Sequence, residues 1–249
     1  MYEDFAEVYD ELMDDYDYDQ WAAFYAKRLL SFGQLRGNVV ECACGTGNLT
    51  ARLAKMGFSM IGIDNSTRML AAAEKKMRTF GVMVPLVHSD MCTFETARKP
   101  AAVLCTCDGI NYLTDPEKVQ RFFAHVRAKL KDSGIFCFDV STFERIEHKI
   151  GNQFFGEERD GIAYIWKNNL NERLHTVHMD ITFFVRESDG RYRRFREEQR
   201  MRAYSVEELS TWLQNAGFTD IQIFGGMRED APLREDDRVH ILARATSVN

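Results

Sequence analysis

Between Val39 and Thr50 the sequence Val-Val-Glu-Cys-Ala-Cys-Gly-Thr-Gly-Asn-Leu-Thr passes from a β-branched run through two glycines into a helical pattern. A strand, a tight turn and the first turn of a helix are implied, and no other stretch restricts the fold as strongly. Gly45 and Gly47 turn the backbone with no Cβ in the way, so a ligand can lie against the main chain at the positive end of the helix that follows. A nucleotide-like cofactor suits such a turn. A Gly-x-Gly alone is equally compatible with a plain turn, so its surroundings must decide.

Downstream, Leu49, Leu53 and Met56 mark a helix that Gly57 ends, and Ser59 to Ile63 is a strand finishing in Asp64. An acid about twenty residues beyond the glycines, at the tip of the second strand, can accept hydrogen bonds from both ribose hydroxyls. Thr67 to Phe80 carries a helical stripe through Met69, Leu70, Ala73 and Met77. Val82 to His88 and Ala101 to Cys107 read as third and fourth strands, Pro116 to Leu130 as a helix with a proline start, and Ile135 to Asp139 as a fifth strand. Alternation of this kind gives βαβ units and a parallel sheet whose ligand sits at the carboxyl ends of the strands. Asp64, Asp90, Asp108 and Asp139 are all expected at those ends.

Ahead of the first strand, Phe5 to Leu12 and Trp21 to Leu30 place apolar residues at helical spacing. The acidic run between them, from Asp14 to Asp19, resembles a calcium loop only superficially. Counted from Asp15, its sixth position is Gln20 rather than glycine and its twelfth is Ala26 rather than glutamate.

After Gly161 the period changes to two. Ile162 to Trp166, Leu174 to Val185 and Arg191 to Arg202 alternate, with turn signals at Asn168-Asn169 and Ser188-Asp189-Gly190. This predicts an antiparallel β insertion over 161–202, a substrate lid on a core formed by 1–160 and 203–249. A helix capped by Ser205 and Glu208 in the capping-box arrangement and stopped by Gly217 leads to two last strands, Ile221 to Phe224 and Val239 to Ala245. The fold class expected is α/β, a Rossmann-like, seven-stranded, mostly parallel sheet with helices on both faces.

Composition excludes several classes. The chain has 249 residues, 45% hydrophobic and 28% charged, enough for one large core plus a small lid. A net charge of −6 argues against a general nucleic-acid binder. The start, Met1-Tyr2-Glu3-Asp4-Phe5, has no signal-peptide pattern and no apolar run is long enough to span a membrane, so a cytoplasmic protein without membrane contact is expected. The six cysteines read as reduced, buried thiols. The pairs Cys42-x-Cys44 and Cys105-x-Cys107 lack the C-x-x-C spacing that zinc takes, so no metal is expected.

Taken together, these motifs resemble the class I S-adenosylmethionine-dependent methyltransferases over most of residues 35 to 245. The first motif of that family is matched by Glu41-Cys42-Ala43-Cys44-Gly45-Thr46-Gly47, with Ala43 where many members have glycine. The second is matched by Ile63-Asp64-Asn65-Ser66 with Met69-Leu70, the third by Ser89-Asp90-Met91, and the fourth-strand motif by Cys107-Asp108-Gly109-Ile110-Asn111-Tyr112-Leu113. The resemblance implies S-adenosylmethionine as cofactor and S-adenosylhomocysteine as product. It makes Glu41, Cys42, Ala43, Gly45, Thr46 and Gly47 cofactor-binding, with backbone groups around Gly45 to Gly47 against the methionyl part and Asp64 on the ribose. Asn65 and Met69 would border the adenine, Asp90 would accept from its amine, and the Met91 main-chain N–H would donate to the ring. Cys107 and Asp108 would lie by the methionyl ammonium, and Tyr9 matches an N-terminal tyrosine that covers the cofactor. A dinucleotide site is disfavoured because Thr50 stands where a third glycine would be needed, and a Walker loop lacks its Gly-Lys-[Ser/Thr] ending.

Methyl transfer from a sulfonium needs alignment and exclusion of water, and a general base only if the nucleophile arrives protonated. No residue type is therefore required, and the weak catalytic candidates are His178, Tyr112 and Asn111. The acceptor is expected beside Asn111, Tyr112, Asp139 and Ser141, roofed by the insertion, and by fold analogy is a small molecule methylated at N or O. Arg191, Arg193, Arg194, Arg196, Arg200 and Arg202 form the one basic concentration. They suit a charged edge strand, or else an anionic substrate or RNA. A cofactor-binding sensor or scaffold without turnover is the alternative function. Oligomeric state is left open.

Overall fold

The structure, a computed structural model, describes residues 5–13, 16–31 and 37–246. Asp14 and Asp15, which begin the calcium-like run, lie outside the described residues. Strands β1 (Asn38–Cys42), β2 (Ser59–Asp64), β3 (Leu86–His88), β4 (Ala102–Cys105) and β5 (Ile135–Ser141) are parallel. A second sheet contains β6 (Phe154–Arg159), β7 (Ile162–Asn171), β8 (Thr176–Arg186) and β9 (Tyr192–Arg202). Finally β10 (Phe218–Gly225) and β11 (Arg238–Ala245) close the main sheet, whose order is β10-β11-β5-β4-β1-β2-β3, with β11 antiparallel to both its neighbours. The order reverses between β1 and β4, which opens a crevice at their carboxyl ends.

The helices are α1 (Tyr9–Leu12), α2 (Tyr18–Ser31), α3 (Asn48–Lys55), α4 (Thr67–Phe80), α5 (Pro116–Lys129) and α6 (Val206–Asn215). On one face of the sheet α2 and α3 bury Tyr25, Leu29, Leu49 and Leu53 against Val39, Leu104 and Leu242. On the other, Phe122 and Phe123 of α5 and Leu209 and Leu213 of α6 pack on Phe136 and Phe138, all wholly buried. Each such side chain contributes about 1.5–3 kcal/mol by leaving water. The α6 start carries both halves of the capping box between Ser205 and Glu208. No described helix is long and apolar enough to cross a membrane.

Several local expectations need correction. Asn168-Asn169 is not a turn: β7 runs through it, Asn168 opposes Met179, and its buried amide donates to the Ile150 carbonyl and accepts from Trp166 Nε1. The chain turns instead at Glu172–Leu174, where His175 takes a left-handed conformation. The second sheet also starts earlier, because Phe154–Arg159 pairs with β7. The third strand is shorter than expected, as Pro85 has no N–H to offer a ladder and its carbonyl accepts from Gly62 N at 2.9 Å. The N-terminal pattern gives a 3-10 turn (Phe5–Glu7) and one turn of α1, not a continuous helix. Asp139 lies inside β5 rather than at its end, and is wholly buried.

On β8, Val177, Met179, Ile181 and Phe183 face inward and His178, Asp180, Thr182 and Phe184 outward. The N-terminal segment seals the inner face, with Phe5 stacked on Phe183 at 4.9 Å and Val8 beside it. Its acids then reach both sheets' supports. Glu7 pairs with Arg193 of β9 at 2.6 Å and lies 3.7 Å from Arg68 of α4.

Three non-glycine residues near the crevice are left-handed: Ala43 (φ 54), Cys107 (φ 54) and Asp108 (φ 67). The second pair is held by Asp139, which accepts from the Cys107 and Asp108 N–H groups at 2.8 and 3.1 Å. Arg238, opposite Ser141 in the ladder, bridges Asp108 and Asp139. Two consequences can be measured. Ala43→Gly should stabilise the chain by about 0.5–1 kcal/mol, the relief of left-handed strain less the added freedom of the unfolded state; a lower denaturation midpoint would contradict the strain. Arg238→Met should destabilise by about 3–5 kcal/mol at pH 7, because two buried acids lose their cation. That penalty should shrink at pH 5 as the acids take up protons, and an equal penalty at both pH values would count against it.

Candidate functional site

A cavity of about 240 Å³ occupies the crevice between β1 and β4. Its floor is the glycine turn. Gly45 (φ +54) has open space where a Cβ would stand, so its main chain faces the cavity. Gly47 differs: it is also left-handed (φ +75), but a Cβ there would come within 3.1 Å of the Ala73 Cβ and 2.6 Å of the Met77 methyl. The second glycine therefore serves the packing of the turn on α4 more than the ligand.

Asp64, the last residue of β2, is tied to this turn. Its Oδ2 accepts from Gly45 N and its Oδ1 from Ser66 N, both at 2.9 Å. Burial raises its pKa, and the donated backbone N–H groups work against that rise. The carboxylate keeps acceptor capacity beyond these bonds and can accept from a ligand hydroxyl. Ser66 caps α4 by accepting from Met69 N, which fixes Met69 as an apolar wall beside Asn65. Asp90 and Met91 close that end, with Asp90 Oδ1 accepting from Cys92 N at 2.7 Å.

Glu41 lies at the other end, beneath the turn. It is buried, accepts from the Thr50 hydroxyl, and accepts from Thr106 at 3.0 Å. Burial pushes its carboxyl up from 4.5 to about 7, against the pull of the two hydroxyls. Around it stand Thr106, Cys107, Gly109 and Tyr112 from the β4 side and Tyr9 and Tyr18 from the N-terminal segment. Burial raises the phenol pKa of Tyr9 and Tyr18, so both stay protonated.

The N-terminal segment is latched over the turn by Asp10. It accepts from Thr46 Oγ1 at 2.7 Å and Asn48 Nδ2 at 2.8 Å, and pairs with Lys76 of α4 at 2.7 Å. Burial would raise the Asp10 pKa; the bonds from Lys76 and Thr46 outweigh it and lower the value.

Behind the β4 wall lies the ion cluster of Arg238. Burial would raise the Asp108 pKa, but the guanidinium holds it below the usual range, while burial lifts that of Asp139. The Tyr25 hydroxyl bonds to both Asp139 and His240 Nδ1. Burial, helped by the charge of Arg238, lowers His240 to about 3, so the ring is neutral.

Of the residues singled out from sequence, the cavity brings together Tyr9, Glu41, Ala43, Gly45, Thr46, Asp64, Asn65, Met69, Asp90, Met91, Cys107 and Tyr112. Cys42 is in the core among Ile63 and Cys105, Gly47 faces α4, and Asp108 is engaged by Arg238 and Ser141. Asn111 is wholly buried and spends its amide on backbone, donating to the Ser141 and Arg202 carbonyls and accepting from Ser141 N. His178 lies on the outer face of β8, 3.4 Å from Glu198, away from the cavity. Among the described residues no group of three or more His, Cys, Asp and Glu could hold a metal.

Sequence reading missed Tyr18, Thr50, Thr106, Lys76 and Arg238. Only Arg238 carried a signal, as a charge heading the apolar run Val-His-Ile-Leu-Ala.

A cofactor of nucleoside type fits these walls. The cavity is lined by the carboxylate of Asp64, beside the exposed main chain of Gly45, and by the side chains of Met69 and Met91.

Comparison with known proteins agrees. Residues 39–134 match a family model described as a methyltransferase domain. A Geobacillus sp. (strain WCH70) protein, provisionally named a methyltransferase, is 34% identical over 244 residues, covering 98% of this chain and 99% of that one. The crystal structure of an S-adenosylmethionine-dependent methyltransferase from Clostridium acetobutylicum ATCC 824 superposes with a TM-score of 0.89 at 29% identity, over 98% of each chain. A sugar N-methyltransferase from Streptoalloteichus sp ATCC 53650 shares the fold, with a TM-score of 0.77 at 19% identity over 96% of this chain and 93% of that one. The fold, the cavity at the strand-order switch and these likenesses together make the chain a member of the class I S-adenosylmethionine-dependent methyltransferases.

Proposed function

We propose that the chain moves a methyl group from S-adenosylmethionine to a nitrogen or oxygen of a small acceptor held between the β4 wall and the second sheet. The observation that carries this reading is the two-ended cavity. Asp64, Asp90 and Met69 form one end, suited to an adenosine, while Tyr9, Tyr18 and Tyr112 form the other beneath the inner face of β8 and β9.

When bound, the cofactor supplies an activated methyl on a sulfonium, so the leaving group needs no acid from the protein. Asp64 would accept from the ribose hydroxyls and Asp90 from the exocyclic amine, and the Met91 N–H would donate to the ring. Gly45 and Cys107 would offer main chain to the methionyl part, and the Glu41 carboxylate would supply its counter-charge. The apolar stripe of Val177, Met179, Ile181 and Phe183, sealed by Phe5, keeps water from the reacting end. Alignment of acceptor and methyl then accounts for most of the rate.

Half of the basic concentration is already matched, which favours a small acceptor over RNA: Arg191, just ahead of β9, is paired with Asp189, Arg193 with Glu7 and Glu187, and Arg196 with Asp180 and Glu198. Related folds act on small molecules: one is named as a sugar N-methyltransferase and another as an amino pentose methyltransferase. The sensor alternative shares the binding site and differs only in turnover. Incubation with methyl-labelled cofactor and a cell extract split into small-molecule, RNA and protein fractions decides, with label expected in the small molecules. Label in RNA, or in none, would refute the proposal.

Two expectations concern the cofactor end. S-adenosylhomocysteine at a hundred times its dissociation constant should raise the melting temperature by about 5–10 °C, and Asp64→Ala should remove most of that shift. An unchanged melting curve at millimolar ligand would refute the assignment.

The second concerns pH. The Glu41 carboxyl keeps its proton to about 7 when folded and releases it near 4.5 when unfolded. It therefore favours the native state most below 4.5, and that contribution is lost as pH rises through about 7. A cationic ligand pulls the proton off, so affinity for S-adenosylmethionine should rise between pH 5.5 and 7.5 with release of a proton. Calorimetry in buffers of different ionisation enthalpy measures that proton, and Glu41→Gln should flatten the profile; a slope unchanged by the substitution would assign it elsewhere.

A further inference from the structure

The second sheet is covered on one face only. Its inner face packs on the N-terminal segment and the core, whereas its outer face lies open, with Phe154 67% and Ile165 46% exposed. Cross-strand pairing sets the outer side chains in rows that run from β6 to β9. One row reads Glu158, Ala163, Phe184, Arg194; the next Gly156, Ile165, Thr182, Arg196; the third Phe154, Lys167, Asp180, Glu198. Phe154, Ile165, Ala163 and Phe184 are neighbours along a strand or across it, so an apolar band crosses the face inside a charged frame. Bands of this kind mark surfaces that another molecule covers.

The order of charge within the rows selects the occupant. The first row is acid, apolar, apolar, base, so it becomes its own complement when read backwards. A two-fold axis along the strands, between β7 and β8, reads it backwards: β6 of one copy lies over β9 of the other and the rows keep their level. Glu158 then meets Arg194 of the second copy, Ala163 meets Phe184, Ile165 meets Thr182 and Lys167 meets Asp180. Arg196, held in its own chain by Asp180 and Glu198, meets Gly156, which has no side chain to oppose it. A two-fold axis across the strands at the second row fails by comparison, since it sets Arg196 against Arg196 and Phe184 against Asp180. Within one chain Glu158 and Arg194 stand on opposite edges of the sheet, three strand spacings or roughly 14 Å apart, so they do not pair with each other.

We propose that the outer face of the second sheet docks a second copy of this chain about that axis, with Ile165, Ala163 and Phe184 at the centre and the Glu158 to Arg194 pair made twice at the rim. Four strands cover an area of about 20 by 30 Å, on the order of 600 Å² from each copy, the low end for a specific interface, so the dimer is of micromolar strength and exchanges with monomer. Both inner faces stay turned toward their own cavities, and each sheet gains the second packed layer that it lacks in the single chain. The inference does not depend on the methyl acceptor.

The test is sedimentation velocity of the full chain over a concentration series reaching about 100 μM, where a micromolar dimer is nearly all formed. The unaltered chain should pass from one to two chain masses along the series. Glu158→Arg and Arg194→Glu each turn both rim pairs into like-charge pairs and should each weaken the dimer about tenfold or more. Mixed in equal amounts, these two variants should regain the affinity of the unaltered chain, because one is then basic and the other acidic at both contacts. Ile165→Asp, beside the axis, should abolish the dimer. All three positions are exposed, so the substitutions leave the fold in place. A monomer throughout the series, whether or not it sediments with anionic lipid vesicles, a dimer indifferent to Ile165→Asp, or charge variants that do not recover on mixing would overturn the proposal.

Discussion

The carboxylate of Asp139 is the contact on which the site depends. From the interior of β5 it accepts two successive backbone N–H groups, of Cys107 and Asp108, and so holds two left-handed non-glycine residues that would otherwise relax. That turn sets where Gly109 and Tyr112 stand, and thereby one wall of the cavity. A buried carboxylate performing this task needs a counter-charge, and Arg238 of the neighbouring strand provides it while also binding Asp108. The antiparallel β11 is thus tied to the geometry of a turn 130 residues earlier in the chain.

Opposite this wall the same logic is repeated with hydroxyls in place of a guanidinium. Glu41 is kept under the glycine turn by Thr50 and Thr106, and Asp64 is joined to the turn through Gly45 N. Two buried acids, Glu41 and Asp64, each satisfied from a different element, line one small volume. Such an arrangement is costly without a ligand that carries positive charge, and the proposed cofactor has two such groups. The second sheet contributes mainly shape and dryness.

What was legible in the sequence follows from what is local. Period-two and period-3.6 patterns, the glycine turn, the acid at the tip of β2 and the capping box of α6 are set by neighbours in the chain; the last three are present where expected, and most of the periodic stretches form the expected element with shifted ends. Features made by distant partners left no such trace. Asn168 reads as a turn residue until the Ile150 carbonyl and the Trp166 indole are placed against it. Phe154–Arg159 lacks clean alternation because an outer strand is largely exposed on both faces. The Thr50 to Glu41 bond, the Asp10 latch and the Gln199 to Tyr112 pair join residues whose spacing carries no pattern. His178 was suggested by a mixed face, but alternation cannot tell which face of an added sheet turns inward.

The two glycines of the turn respond to different forces although they stand two positions apart. Gly45 fronts the cavity, whereas Gly47 fronts Ala73 and Met77. Loss of activity on substitution would therefore carry two meanings in one motif: a vanished ligand contact at the first position, and a displaced helix at the second. Scored by activity alone, a scan across this turn would merge a binding determinant with a packing determinant. Melting temperature measured beside it would separate them, and would show that a shared motif can be retained by two unrelated selective pressures.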